Sequence, residues 1–317
     1  MFTLRTVKSI VFPSILLVIV ALLITGLMTG AIGAAFAGKD HGYLPTPEVH
    51  LPAQQIIGTL TLTESHDGHG ESHAVLPSGS FVFTNTILSA LIASVLLMVL
   101  FFFSTRKMKL VPTGMQNFME WIVESLFNFC ENVAGKANAR KFFPVIGTIF
   151  LFVSFNAWLG LVPIYQSFGY IEGDHIARHF FRPAGTDVNM PLAIAIVSFF
   201  FVEFWGLRTL GWGYLTKFFK FDNLLKGKVF QGFVDLFVGM LELLSEFVRV
   251  VSFTFRLFGN MLAGEVLLLV AAFLVPFIFS IPFYGLEVLV GFVQGLIFAG
   301  LTLVFAVLAV TPHAEEH

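Results

Sequence analysis

The stretch "VSFTFRLFGNMLAGE", residues 251 to 265, places Arg256 among Phe253, Phe255, Leu257 and Phe258. Arginine does not give up its proton in a protein, so this charge is permanent. At the centre of a bilayer it costs about 2.5–3.5 kcal/mol on an insertion scale. The same third of the chain carries Glu242, Glu246, Arg249, Asn260, Glu265, Glu287 and Gln294 in otherwise apolar surroundings. At about 100° per residue, Glu242, Arg249 and Arg256 share one helix face, and Asn260 extends that strip by one turn. Glu265, nine residues beyond Arg256, lies about 180° round the helix. Glu287 and Gln294 are spaced to line one face of a final helix. A fixed cation with acidic groups displaced from it is an arrangement for moving ions, since charges inside a membrane mark ion pathways and proton relays.

Each polar residue also has a plainer reading. Glu246 and Arg249, three apart, can neutralise one another. Glu203 stands near the end of an apolar stretch, within reach of headgroups, and Asp235 suits the positive end of a helix dipole. For Arg256 the plain reading fails. Glu265 is on the opposite side, and Glu242 is four turns away, about 21 Å. Its partner is therefore expected on another chain.

The elements that must hold these groups are membrane helices. The 317 residues are 56% hydrophobic and only 12% charged, with a mean hydropathy of +0.86, whereas soluble domains carry about 25% charged residues. The formal net charge of −2 gives no reason to expect nucleic acid. Cys130, without a second cysteine, excludes an intrachain disulfide and reads as a small hydrophobe. Neither a GxxxxGK loop nor an HExxH helix occurs, so nucleotide hydrolysis and zinc chemistry have no home, and no metal or cofactor is expected.

Apolar runs long enough to span occupy 10–37, 85–105, 143–163, 190–208, about 230–275 and 284–310. Basic residues gather at 106–141 (Arg106, Lys107, Lys109, Lys136, Arg140, Lys141) and 208–228 (Arg208, Lys217, Lys220, Lys226, Lys228). The positive-inside rule then places those segments and the C-terminus inside, with 38–84, 164–189 and 276–283 outside. Arg178 and Arg182 fall in an outside loop. Only Arg249 and Arg256 remain within the membrane stretches.

Three regions follow. Residues 1–37 are a signal peptide, ending at Ala35-Phe36-Ala37-Gly38, or an extra transmembrane helix. Residues 38–84 are an extracytoplasmic loop, and 85–317 an ion-translocating membrane domain. His66, His69 and His73 could gather a metal on a helix, but Asp67, Gly68 and Gly70 oppose one, so a solvated loop is expected. Residues 113–135 carry apolar positions at helical spacing with Glu120, Glu124 and Glu131 opposite, an amphipathic helix for the cytoplasmic surface. In "GFVQG", Gly291 and Gly295 would let the last helix approach a neighbour closely.

"RLFGNMLAGE" resembles the most specific signature of the membrane a subunits of rotary F-type ATP synthases. Further motifs run in the family's order: "HLPAQQIIG", "TNTIL", "VPTGMQNFMEWIVES", "ARKFFPVIGTIFLFVSFNAWLGLVP", "TDVNMPLAIAI" and a terminal "AEEH". The likeness covers about 50–317. It implies an all-α polytopic protein of five to six transmembrane helices, the last two forming a long tilted hairpin. It implies a stator that conducts protons through two offset half-channels to and from a c-ring, coupling ion flow to rotation and ATP synthesis without an ATP site of its own. The implied partners are c-ring subunits, the b subunits of the peripheral stalk, the rest of the F1Fo complex and lipid, in a bacterial inner membrane. By resemblance Arg256 is the essential charge facing the ring carboxylate, and Asn260 the asparagine one turn beyond it. Glu265 lies on the outer half-channel, Glu242 is associated with the cytoplasmic one, and Gln294 faces the arginine from the last helix. Glu287 stands where some members carry histidine. With glutamate at both 265 and 287, two close carboxylates would tend to share a proton.

A secondary ion transporter or antiporter is the alternative from a different class. Transporters show polar, broken helices in corresponding halves, whereas here the polar residues crowd into one end. A membrane enzyme would need a nucleophile or metal constellation, and the sequence offers none.

Overall fold

A computed structural model describes residues 3–38, 55–57, 83–162, 168–172, 175–211, 213–214 and 229–311. The His66/His69/His73 loop and the terminal "AEEH" lie outside the described residues. The chain forms α1 (Thr3–Thr29), α2 (Ala31–Phe36), α3 (Asn85–Thr105), α4 (Met115–Gly160), α5 (Asn189–Leu210), α6 (Val229–Leu274) and α7 (Ile281–Val310). Two short antiparallel pairs accompany them, β1 (Gln55–Ile57) with β2 (Phe83–Thr84), and β3 (Gly169–Glu172) with β4 (His175–His179). The helices α3 to α7 are long and apolar enough to cross a membrane. The all-α, polytopic expectation holds.

The expected amphipathic helix and the span after it are two helices that meet directly at a kink within α4. Gly135 adopts φ 73° and ψ 158° inside α4, a left-handed backbone that glycine takes at least cost. Before it runs an arm with Trp121 and Glu124 exposed. After it the exposed Lys136, Arg140 and Lys141 lead into the buried stretch from Phe142 to Ala157.

The core lies where α4, α5, α7 and the middle of α6 meet. Phe142 packs edge-on to Phe201 and Trp205 of α5 at 5.8 and 5.4 Å, the offset geometry aromatic quadrupoles favour. Phe253 of α6 meets Phe298 of α7 at 4.9 Å. Ser198 and Thr302, both buried, share a hydrogen bond of 2.7 Å between α5 and α7. The anticipated close approach by Gly291 and Gly295 is made to α4. A methyl on Gly291 would come within 2.7 Å of Ala157 Cβ, and one on Gly295 would strike Ser154 Oγ.

The hairpin helices are very unequal in cover. Helix α6 has 46 residues, about 69 Å at 1.5 Å per residue, more than twice a hydrocarbon core of about 30 Å. It must run strongly inclined to keep its apolar length in lipid. Its first half leaves Phe230, Phe233, Phe237, Leu241 and Leu244 exposed. At the other end, α1 docks on the turn that joins α6 to α7. Methyls on Gly26 and Gly30 would collide with the backbone carbonyls of Pro276 and Leu274.

Candidate functional site

The apolar strip of α6 that brings Arg256 into the bundle is anchored by Phe253 and Leu257, which are buried. Arg256 itself is half-buried, its guanidinium carbon 5.7 Å from the Phe253 ring. Among the described residues no carboxylate lies within ion-pairing distance of it. Ser252, Gly259, Asn260 and Ala263 are exposed around it, and a methyl placed on Gly259 would meet nothing within 4 Å. The arginine therefore sits in an open helix face built from small and polar side chains.

The nearby Glu246 and Arg249 neutralise each other as their spacing predicts. Arg249 Nη1 lies 2.6 Å from Glu246 Oε2, and its Nη2 donates to Oε1 at 2.9 Å. Its guanidinium also lies 3.8 Å above the Phe305 ring. Glu242 is half-buried on α6, two turns further toward the basic side of the protein. Glu203 differs from expectation. Rather than reaching for headgroups, it accepts a hydrogen bond from the Tyr214 hydroxyl at 3.2 Å. Burial and then the Glu203 charge push the Tyr214 phenol well above its ordinary range, so it remains a donor.

Toward the turn between α6 and α7, Asn260 Nδ2 donates to Gln294 Oε1 at 2.7 Å, which sets the register of α6 against α7. Gln294 is buried, as is Glu287 one face-repeat above it. The Glu287 carboxylate occupies the space over Gly264, where a Cβ would collide with it. A larger residue there would force the Glu287 carboxylate to move.

Glu265 is placed otherwise than by pairing with Glu287. Arg182 Nη2 donates to Glu265 Oε2 at 3.2 Å, and no hydrogen bond joins the two glutamates among the described residues. In place of the direct contact between the two glutamates that the resemblance suggests, Glu265 makes an ion pair with a residue of the 175–189 segment. The charge pattern of the sequence assigns Arg182 only to an outside loop. The available signal was its position: basic residues are depleted outside, and Arg182 precedes Pro183 directly before a span.

The family described as the ATP synthase A chain matches residues 87–307. ATP synthase subunit a of Gloeobacter violaceus is 34% identical over 232 residues, covering 73% of this chain and 86% of that one. ATP synthase subunit a of Helicobacter acinonychis is 30% identical over 237 residues, covering 74% of this chain and 94% of its own.

Proposed function

Because the chain belongs to the ATP synthase A chain family, we propose that it is the ion-conducting stator of the synthase's membrane sector, with Arg256 as the fixed charge that meets the carboxylates of a rotating c-ring. The observation that carries this reading is the Arg256 guanidinium, which has no carboxylate within ion-pairing distance among the described residues and lies in an open face of small and polar side chains. Small side chains let another helix come close. A mobile carboxylate arriving there supplies the partner this chain withholds.

The helix places acids on either side of that point. Glu265 is about 14 Å along α6 toward the outer turn, and Glu242 about 21 Å toward the basic side. Glu265 and Glu287, with Asn260 and Gln294 below them, mark an outer route, and Glu242 a cytoplasmic one. A ring carboxylate crosses lipid only when neutral, since a bare charge there costs many kcal/mol. Near Arg256 it ionises and releases its proton to one route, and it is reprotonated from the other before it re-enters lipid. The permanent cation repels protons attempting the direct passage. Ion flow is then possible only with rotation, and this chain performs no ATP chemistry. The b subunits of a peripheral stalk would hold it against the ring, in a bacterial inner membrane with the C-terminus in the cytoplasm.

The test is Arg256→Ala in inverted vesicles carrying the whole complex. ATP-driven acidification should vanish while the subunit still co-purifies with its partners. Wild-type acidification by that variant would refute the assignment.

A further inference from the structure

The segment that carries Arg182 is an inward fold of the chain rather than a surface loop. Arg182, Ala184, Gly185 and Thr186 are buried. The backbone N–H of Arg182 donates to Ser89 Oγ of α3 at 3.2 Å. The Pro183 ring lies so close to Gly160 that a methyl there would come within 2.8 Å of it. A methyl on Gly185 would come equally close, 2.8 Å, to Met261 Cγ of α6. Asp187 closes the segment, accepting from Thr86 Oγ1 at 2.8 Å and from the Asn189 backbone N–H at 3.1 Å. Contacts to α3, α4 and α6 thus fix where the guanidinium can reach, and it reaches Glu265.

We propose that Arg182 is a positioning residue of the outer ion route: it holds Glu265 as a compensated anion and leaves Glu287 as the carboxylate that relays the proton. This rests on reading Glu265 and Glu287 as the outer route. The charged groups about Glu265 are Arg182 from the inward segment and Glu287 from α7; Arg256 projects from the far side of its own helix, and Asp187 is engaged by Thr86 and Asn189. A carboxylate bound at 3.2 Å to a buried guanidinium is oriented by that charge-assisted contact and has its charge balanced there. Glu287 has no cation beside it among the described residues. Its carboxylate takes a proton from hydronium at the outer mouth, leaving water, and gives that proton to the ring carboxylate, returning to the anion. Glu265 and Arg182 together add no net charge to the route, so an incoming proton meets neither a trap nor a barrier.

The test is ATP-driven acidification by inverted vesicles bearing the complete complex, normalised to the assembled subunit and measured across pH. E287Q should abolish pumping. E265Q leaves the Arg182 cation uncompensated and should slow pumping by at least about tenfold. R182Q/E265Q removes both charges and should return pumping to within about threefold of wild type. R182Q alone should shift the pH profile upward, since a freed carboxylate beside Glu287 adds negative charge, and R182K should keep the wild-type profile. A double variant as inactive as E287Q would show that Glu265 itself carries the proton and would overturn the proposal. An R182Q profile superimposable on wild type would do the same, leaving Arg182 a purely structural counter-ion. Wild-type pumping by E287Q, with Arg256→Ala still inactive, would reject this relay while leaving the stator assignment standing.

Discussion

At the scale of single residues, the charged groups of α6 divide by whether their partner lies in this chain. Arg249 has its carboxylate within one turn, with both guanidinium nitrogens engaged, and Glu246 is buried. Removing one member of a buried pair leaves an uncompensated charge and costs about 3–5 kcal/mol, whereas apolar replacement of both is often neutral. Glu246→Leu should therefore lower the amount of subunit in membranes severalfold, and Glu246→Leu with Arg249→Met should restore it, with normal pumping per complex. Immunoblots of membranes alongside acidification rates check this. Full assembly but no pumping in the double variant would instead make the pair part of the ion route. The Glu246–Arg249 pair was legible in the sequence because helical spacing brings three-apart residues together. The Arg182–Glu265 pair was not, because its members are 83 positions apart and an irregular segment brings them together. Periodicity says nothing about where such a segment turns. That Arg256 has no carboxylate partner among the described residues was legible by elimination, since its own helix offers none within reach.

At the scale of elements, the glycines separate contacts inside the chain from contacts with a partner. Gly295 packs against Ser154 Oγ and lies close to the Phe150 carbonyl, while Gly259 opens onto free space. Gly295→Ala should destabilise the α4–α7 packing by roughly 1–3 kcal/mol, the usual cost of overpacking, and reduce the subunit recovered. Gly259→Leu should leave recovery unchanged and slow pumping, because its bulk would meet only what docks on that face. Normal pumping by Gly259→Leu would mean that no helix passes there. The spans themselves were readable from apolar length and basic flanks. The direct join of the two helices of α4 was not, because Gly135 turns the chain from arm to span without a loop, and a glycine at that point reads equally well as the start of one. The fate of residues 1–37 was likewise open between removal and retention. The packing of Gly26 and Gly30 onto the 274–276 turn favours retention, as a small-xxx-small seam against backbone. The intact mass of the subunit from purified complex should then include α1. A subunit starting at residue 38 or 39 would show that the helix is cleaved.

At the scale of the whole molecule, the distribution of polarity decides between stator and transporter. The acids lie off the arginine by about 14 Å toward the α6–α7 turn and about 21 Å the other way, and between them stands a charge that no pH change removes. On the proposed reading, neither route alone bridges the membrane. A cation entering from either side meets the guanidinium, and at short range in a low-dielectric setting that repulsion amounts to several kcal/mol. On that reading the missing segment of the path is supplied by a moving acid on another chain, which enters neutral, ionises beside Arg256 and leaves neutral. The chain reconstituted alone in liposomes should therefore hold an imposed pH gradient as well as empty liposomes do. Co-reconstitution with c-ring should open a conductance that Arg256→Ala alters. A transporter would behave in the opposite way, since its two halves provide both gates and the midplane site. Proton flux through the subunit alone, at rates matching the mixture, would transfer the chemistry from an interface to this chain and favour the transporter reading over the stator.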